Sequence, residues 1–397
     1  MPTELPDGWR SGRVSDLVVE VTSRIDPQSI ADPETRSLGL EDIGQGTGTV
    51  VSVGRAGDVT SQKTCFSAGD VLFGKLRPNL KKVARPSFEG ICSTDISVFR
   101  AKSRVDPDFA FRVLASDPVI EHAVAHSAGT KMPRAHARSI LAFETLLPPL
   151  DEQRRIAEVL RSVDECIRAA MQAASAAKSA RMALLASLFH RGDWEPERAL
   201  PSGWKAPLLD TVAKRGSGHT PNKQSATYWN GDVKWISLQD TKRLDRVYIT
   251  DTAATITPEG LANSSAVLHP ANTVVVSRDA TVGRSAIMVS SMAVSQHFIT
   301  YTCGPELSPI YLYYWLQRMK PVFERIGAGS TIKTIGLPFF KGLRIAAPDR
   351  AEQDRTADLL WQADSQIFAA EAAIGRLRSV KAAVSADLLL GRVRVPA

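Results

Sequence analysis

The sequence predicts an α+β protein with two repeated mixed α/β domains, each followed by a long helix, and the two helices pairing as an antiparallel coiled coil. Three observations support this prediction. A proline-containing turn followed by a Glu-Gln pair occurs twice, 200 positions apart, beginning at Leu147 and at Ala347. Each copy opens a long stretch whose apolar residues alternate between four-residue and three-residue spacing. The chain of 397 residues also exceeds the size of one ordinary core, so two or more domains are expected.

The repeat divides the chain into four predicted segments. These are a first domain (1–147), a first long helix with its linker (148–195), a second domain (196–346) and a second long helix with a C-terminal tail (347–397). The repeat also includes the domains themselves. FSAGDVLFGKLRPNLKKVA from Phe66 aligns with LHPANTVVVSRDATVGRSA from Leu268, and both read as a turn, a strand and a polar loop. Asp106-Pro107 and Ser308-Pro309 each predict a helix start, because a capping side chain precedes a proline.

Both long helices carry a heptad seam. Its members are Ile156, Leu160, Val163, Ile167, Ala170, Ala174, Ala177, Leu184 and Leu188 in the first helix, and Leu360, Ala363, Ile367, Ala370, Ile374, Leu377, Val384 and Leu388 in the second. Arg181 and Lys381 interrupt the two seams at equivalent places. The alternative is that each helix packs only on its own domain. A helix of this length reaches roughly 60 Å, however, which exceeds the width of such a domain. The short linker after the first helix favours antiparallel pairing, because a parallel pair would require the chain to return along the whole helix.

Composition indicates a globular protein of a reducing compartment. No apolar run is long enough to predict a membrane span, and the charged N-terminus MPTELPDGWR does not resemble an export signal, so a cytoplasmic location is expected. The four cysteines are scattered, which argues against a zinc ribbon and favours buried thiols; they are Cys65, Cys92, Cys166 and Cys303.

Motifs for catalysis are missing from the sequence. It contains no GxxxxGK[ST] phosphate loop, no HExxH, no GxSxG and no (N/D)PP(Y/F) tetrapeptide of base methyltransferases. Gly44–Gly48 resembles a nucleotide loop but reads as a turn, and His122, His126 and His136 lack the partners of a metal site. We therefore expect no catalytic residue, cofactor site or metal site on this chain.

The positive charge is concentrated in one domain. Residues 196–346 carry 17 basic and 10 acidic side chains, whereas the two kinds balance in each of the other three segments. A basic surplus favours a polyanionic partner, nucleic acid first, although a solvated basic surface is the plain alternative for any single lysine. The predicted DNA-binding residues lie in loops of both domains: Lys75, Arg77, Lys81, Lys82, Lys131, Thr220, Tyr228, Lys242, Arg243, Ser277, Arg278, Gln296, His297 and Lys333. Trp229 and Trp235 are expected to be core residues rather than platforms for base stacking.

These motifs together resemble the specificity subunit of type I restriction-modification enzymes. The resemblance is carried by PPLDEQRRIAEVL with its looser copy APDRAEQDRTADLL, by GSGHTPNKQSATYWNGDVKWIS from Gly216, and by SRDATVGRSAI followed by SQHF. It covers nearly the full length of the chain. The first domain departs from the Thr-Pro and Tyr-Trp pattern, with VTSRIDPQSI in its place.

The resemblance implies two target-recognition domains that each read one half of a gapped, bipartite site in double-stranded DNA, with the helices setting the gap. It also implies that two modification subunits dock on the helices and carry S-adenosylmethionine, and that restriction subunits carry ATP and Mg²⁺. Two other functions stay open: the DNA-recognition part of a fused methyltransferase or nuclease, and a coiled-coil scaffold that binds only protein. Methylation by the chain alone would favour the first, and salt-insensitive, weak DNA association would favour the second.

Overall fold

The computed structural model describes residues 5–129, 131–189, 200–327 and 334–395. They form two compact units. Unit 1 comprises residues 1–171 together with 372–397, and unit 2 comprises residues 172–371. Each unit therefore contains one globular segment and a part of each long helix.

Unit 1 is built on two sheets and a set of short helices. Its strands are β1 (Arg10–Arg13), β2 (Val18–Val21), β3 (Arg24–Ile25), β4 (Arg36–Leu38), β5 (Gly54–Arg55), β6 (Lys63–Phe66), β7 (Val71–Gly74), β8 (Val83–Ala84), β9 (Gly90–Ser93), β10 (Ile96–Ala101), β11 (Ser127–Ala128), β12 (Arg134–Ala135) and β13 (Glu144–Leu147). Its helices are α1 (Val14–Leu17), α2 (Pro107–Leu114), α3 (Asp117–Ala125), α4 (Ala137–Leu141) and the first part of α5 (Leu150–Leu188). The sheets run β2-β10-β7-β8 and β3-β6-β9-β4-β5, and β1 pairs with β13 and β11 with β12.

Unit 2 is built on the same plan, but its sheet with the central strand pair has five strands instead of four, and its other sheet has four instead of five. Its strands are β14 (Ala213–Ser217), β15 (Trp229–Ile236), β16 (Tyr248–Ile249), β17 (Ala254–Ile256), β18 (Leu268–His269), β19 (Val274–Ser277), β20 (Ser285–Met288), β21 (Met292–Val294) and β22 (Phe298–Cys303). Its helices are α6 (Leu209–Val212), α7 (Pro258–Ala262), α8 (Pro309–Gly327), α9 (Leu337–Lys341) and the first part of α10 (Arg350–Leu389). The sheets run β14-β22-β19-β20-β16 and β17-β15-β21-β18.

The central antiparallel pair is the same in both units. β7 pairs with β10 in unit 1, and β19 pairs with β22 in unit 2. Every residue of β7 and β19 is buried, and their apolar side chains pack against the helices that follow and against the long helices. The two strands that the repeat predicted are therefore the middle of each core, which fixes the loops that leave their ends.

The Glu-Gln pair ties each long helix to its unit. The Gln153 side chain accepts from the Asp106 amide at 3.0 Å and donates to the Pro148 carbonyl at 2.9 Å. Gln353 does the same with the Ser308 amide and the Pro348 carbonyl, at 2.9 and 3.0 Å. Both glutamines are buried, so one side chain satisfies two main-chain groups that would otherwise be unpaired. The glutamine is thus a structural connector between the proline turn and the start of α2 or α8.

The residues that interrupt the heptad seams form ion pairs between the long helices. In unit 1, Lys381 Nζ lies 2.6 Å from Asp164, and in unit 2, Arg181 Nε lies 2.5 Å from Asp364. In each unit the first half of one long helix therefore lies beside the last half of the other. The continuous antiparallel coiled coil stays a prediction.

The ends of the long helices and the cysteines complete the comparison with the sequence. α10 ends at Leu389, two residues before Gly391, which has a φ of 66° as a left-handed helix cap requires. The predicted end of the first helix, near His190, lies outside the described residues. All four cysteines are free; Cys92 is buried, but Cys166 is exposed, so the prediction of a buried thiol was wrong there. Cys166 precedes the buried Ile167 and points away from the seam.

Candidate nucleic-acid interface

The loop that follows the central strand has the same main-chain scaffold in both units. The Lys75 amide donates to the Asp95 carbonyl at 3.0 Å, and the Lys75 carbonyl accepts from the Ala135 amide at 2.9 Å. The Arg278 amide donates to the His297 carbonyl at 3.0 Å, and the Arg278 carbonyl accepts from the Ile335 amide at 2.9 Å. The loop is therefore held from both sides, and a basic residue occupies the same position in each unit.

This equivalence differs by one residue from the alignment of the two sequences. The aligned segments match Lys75 with Ser277, whereas the hydrogen bonds match Lys75 with Arg278. The bridges one residue later agree, because Leu76 pairs with Arg134 and Asp279 pairs with Thr334. Strand pairing across the sheet decides this register, and a single sequence carries no signal of it.

The predicted basic residues of unit 1 divide into free and paired side chains. Arg77 and Lys131 are exposed, Lys75 is half-buried, and none of the three side chains has a hydrogen-bond or ion-pair partner among the described residues. Lys81 Nζ lies 2.6 Å from the Asp117 carboxylate, with about half of its side chain exposed. Lys82 Nζ donates to the Leu40 carbonyl at 2.5 Å. Of the predicted residues of unit 1, Lys75, Arg77 and Lys131 are therefore the cations available to an anionic ligand.

A polar chain crosses the corresponding face of unit 2. Thr220 Oγ1 donates to Gln296 Oε1 at 2.8 Å, and Gln296 Nε2 lies 3.5 Å from His297 Nε2. His297 Nδ1 lies 2.8 Å from the Asp279 carboxylate, whose other oxygen is 3.7 Å from Arg278 Nε. The structure thus brings together four residues predicted from sequence: Thr220, Gln296, His297 and Arg278. Asp279, which the prediction omitted, joins two of them.

Ser277 has a different place from the one expected. It is fully buried, and its hydroxyl donates to the Thr281 carbonyl. The hydroxyl oxygen of Ser277 also accepts from the Arg284 amide at 3.0 Å. Arg278 is partly buried, with an Nε that has no hydrogen-bond partner among the described residues. Ser277 therefore shapes the turn, and its neighbour Arg278 carries the charge.

The remaining predicted residues lie around this face or elsewhere. Lys242 is exposed, Arg243 donates to the fully buried Asp240 at 2.9 Å, and Tyr228 is half-buried beside β15. Lys333 lies outside the described residues. The part of the chain that the structure describes contains no cluster of three or more histidine, cysteine or acidic residues that could hold a metal ion, and none of its helices could span a membrane.

The two tryptophans form the wall of a groove next to the polar chain. Trp235 is buried, as expected, whereas Trp229 is only half-buried, so the expectation of a core residue was wrong there. The two rings meet edge to face with centroids 5.2 Å apart. Their indole nitrogens donate to the His219 and Asn222 carbonyls, both at 3.1 Å, and so fix that loop. The groove has a volume of about 580 Å³. Lys223 lies on its rim together with Gln239, which the sequence did not single out.

The family comparison matches the second half of the chain. Residues 201–375 match the model of the type I restriction modification DNA specificity domain. The type I restriction enzyme MjaIX specificity subunit of Methanocaldococcus jannaschii is 25% identical over 170 residues, which are 42% of this chain and 39% of that protein. The chain thus spans about two fifths of the length of that curated relative. The putative type I restriction enzyme MjaX specificity subunit of the same organism is 21% identical over 99% of this chain and 95% of its own length.

A solved structure supports the fold over the full length. A chain described under complex assembly and conformational transition of the type I R-M system has a TM-score of 0.67 and 22% sequence identity, covering 99% of this chain and 100% of that one. At this identity the likeness concerns the fold alone. The duplicated fold, the matching domain model and the named relatives agree. Residues 201–375 are therefore similar to the DNA specificity domain of type I restriction modification, and the chain as a whole is similar to type I restriction enzyme specificity subunits.

Proposed function

We propose that this chain is the DNA-specificity subunit of a type I restriction-modification complex, and that each unit reads one half of a gapped site in double-stranded DNA. One observation carries the proposal. The same main-chain scaffold holds a basic residue, Lys75 or Arg278, at the same loop position in both units. Two copies of one reading loop in one chain suit a bipartite target better than a single continuous one.

The side chains near this loop suit base reading. An arginine can contact guanine through its O6 and N7 atoms, and a glutamine can contact adenine through N6 and N7 in the major groove. Arg278 and Gln296 supply these two groups in unit 2, with His297 and Asp279 between them. Arg77 and Lys131 in unit 1, with Lys242 in unit 2, suit phosphate contacts that position the duplex without reading it.

The chemistry of methylation and cleavage belongs, on this proposal, to partner subunits. Two modification subunits would bring S-adenosylmethionine, and restriction subunits would bring ATP and Mg²⁺. This chain would supply the DNA contacts and the docking surface on the long helices, and would act in the cytoplasm. Exposed residues of α5, such as Arg154 and Glu158, are candidates for that surface.

The test is to co-express the chain with its modification subunits in a host and to map every methylated position. We expect one bipartite motif with a fixed gap, and loss of all motif methylation when this chain is left out. Continuous motifs, or methylation that persists without this chain, would contradict the proposal. Methylation by this chain alone would instead support a fused enzyme.

The helices are proposed to set the gap of the site. One heptad inserted into both α5 and α10 adds roughly 10 Å to each helix. We expect the mapped motif to keep both half-sites and to gain about three base pairs of gap, since B-DNA rises about 3.4 Å per pair. A matched insertion of the same seven residues into a surface loop should leave the motif unchanged. An unaltered gap after the helix insertion would refute the spacing role.

A further inference from the structure

The groove beside the polar chain of unit 2 has the lining of a ligand site. Trp229, Trp235 and Leu238 give it an apolar wall, and Gln239, Gln296 and Lys223 give it a polar rim. Its volume of about 580 Å³ falls in the range of about 300–1,000 Å³ that small-molecule sites occupy. Among the described residues that line it there is no carboxylate, so no acidic side chain on its wall would contact an anionic ligand.

A buried hydroxyl in this groove has no partner. Ser295 is 1% exposed and lines the groove, and its Oγ makes no hydrogen bond to any described residue. A buried hydroxyl without a partner costs free energy, so such a group usually meets a ligand or an ordered water. The counterpart position in unit 1 behaves differently, because Ser93 Oγ accepts from the Asp95 amide at 3.2 Å.

We propose that this groove takes one unstacked nucleobase of the bound DNA. The base would lie against Trp229, its polar edge would meet the Gln239 and Gln296 amides and the Ser295 hydroxyl, and Lys223 would face the phosphate. Aromatic side chains hold unstacked bases in this way, and amides read their edges. The inference rests on the proposed function, because the groove adjoins Gln296 and His297 of the DNA-reading face.

The same turn in unit 1 lacks the features that make the groove a base site. Gly39 donates its amide to Asp42 as Ser237 does to Asp240, so the turns match residue by residue. On that match, Glu41 stands where unit 2 has Gln239, and a carboxylate there repels a phosphate. Ser37 stands where unit 2 has Trp235. The nucleobase site is therefore expected in unit 2 alone.

The experiment uses the complex of this chain with its modification subunits and a duplex that carries the mapped motif. 2-Aminopurine replaces one base at a time in the half-site read by unit 2. The methylated position is left out, because methyltransferases extrude the base that they modify. We expect the fluorescence to rise severalfold at one position when the complex forms, and at none in the other half-site. Fluorescence anisotropy of the same duplexes reports binding separately.

Two variants assign the rise to the groove. Trp229→Leu should abolish it and weaken binding of the duplex roughly tenfold, as loss of one base–aromatic stack does. Gln239→Ala, an exposed change at the rim, should lower it while the fold is kept. The matched change in unit 1, Glu41→Ala, should leave it unaltered. A rise that survives both unit 2 variants would place the unstacked base elsewhere and overturn the assignment.

The remaining outcomes separate this inference from the proposed function. Sequence-specific binding by anisotropy without any rise in fluorescence would overturn the nucleobase site and leave the proposed function intact. Failure to bind the motif specifically would overturn both. In a last experiment, deoxynucleoside monophosphates are added and the fluorescence of Trp229 is followed. If they quench it but no position of the duplex responds, the groove is a site for free nucleotides and the inference is wrong.

Discussion

Unit 1 and unit 2 attach different side chains to equivalent main-chain hydrogen bonds. The bonds that hold Lys75 in unit 1 hold Arg278 in unit 2, with Asp95 and His297 as the respective neighbours. Lysine presents a mobile point charge, whereas arginine presents a planar fork that can make two hydrogen bonds to one base. The comparison teaches that the scaffold of the reading loop depends on the backbone, and that its chemistry depends on the side chains.

The ion pairs between the long helices also differ between the two units. Asp164 contacts both Lys381 and Arg112 in unit 1, whereas Asp364 pairs with Arg181 in unit 2 and Tyr314 lies beside that pair. Burial raises the pKa of the Tyr314 hydroxyl far above its ordinary value, and the neighbouring Asp364 charge raises it further. The Asp364 side chain is 6% exposed and that of Asp164 is 23% exposed. Unit 2 therefore has the more deeply buried ion pair.

The largest expected effect comes from removing one partner of that pair. Asp364→Ala leaves the Arg181 guanidinium buried without its counter-charge, which costs about 3–5 kcal/mol of unfolding free energy. Asp164→Ala should cost less, about 1–3 kcal/mol, because Lys381 is more exposed and Arg112 keeps Asp108 at 3.6 Å. Urea denaturation, monitored by hydrogen exchange of peptides from each unit, measures both changes in unfolding free energy.

A double variant is the control for this prediction. Asp364→Ala combined with Arg181→Leu removes both charges and should recover most of the lost stability, since an apolar pair can replace a buried ion pair. If Asp364→Ala and Asp164→Ala lowered the unfolding free energy equally, the depth of burial would not explain a difference between the two ion pairs.

A smaller effect is expected in DNA reading. Arg278→Ala should relax the preference at one base of one half-site by about 1–3 kcal/mol, and Lys75→Ala should affect only the other half-site. The matched control is Arg77→Ala, which should weaken all sequences about equally and reduce the slope of log affinity against log salt by about 1. Competition binding with degenerate duplexes measures all three variants. An unchanged base preference in Arg278→Ala would refute its contact with a base.

The smallest expected effect is on stability in acid, where the two units should begin to lose unfolding free energy at different pH values. Burial lowers the pKa of His269 in unit 2 below the ordinary 6.5, so below that pH the unfolded chain binds a proton that the folded chain does not. Burial alone would raise the pKa of Glu152 in unit 1, but hydrogen bonds from Arg394 and Trp9 lower it below 4.5. Its contribution is complete above pH 4.5 and is lost as the pH falls through the lower folded value.

Unit 2 should therefore begin to lose stability below about pH 6.5, and unit 1 should lose the Glu152 contribution only below about pH 4.5. Each group changes the unfolding free energy by at most about 1.4 kcal/mol per pH unit. Hydrogen exchange of peptides from each unit between pH 7 and pH 4 measures this order. Glu152→Gln should remove the acid-dependent loss of unit 1, and an earlier loss in unit 1 than in unit 2 would contradict the assignment.

The sequence predicted the features that follow from local patterns of residues. It missed those that depend on contacts between residues far apart in the chain. The duplicated helices, the central strands and the Asp106 cap follow from spacing and residue type. The one-residue offset that matches Lys75 with Arg278 follows from bridges across the sheet, which no local pattern specifies. The bond between Arg394 and Glu152 joins residues 242 positions apart, beyond any periodic signal.

The glutamine that connects each proline turn to the next helix start has a consequence for how such a chain can change. Gln153 and Gln353 bond only to main-chain atoms in these contacts, and so does the scaffold of each reading loop. Bonds to main-chain atoms do not depend on the identity of the residue that supplies them. On the proposed function, such a chain would acquire a new target by exchanging loop side chains, or a whole globular segment between two proline turns, while the main-chain framework stays unchanged.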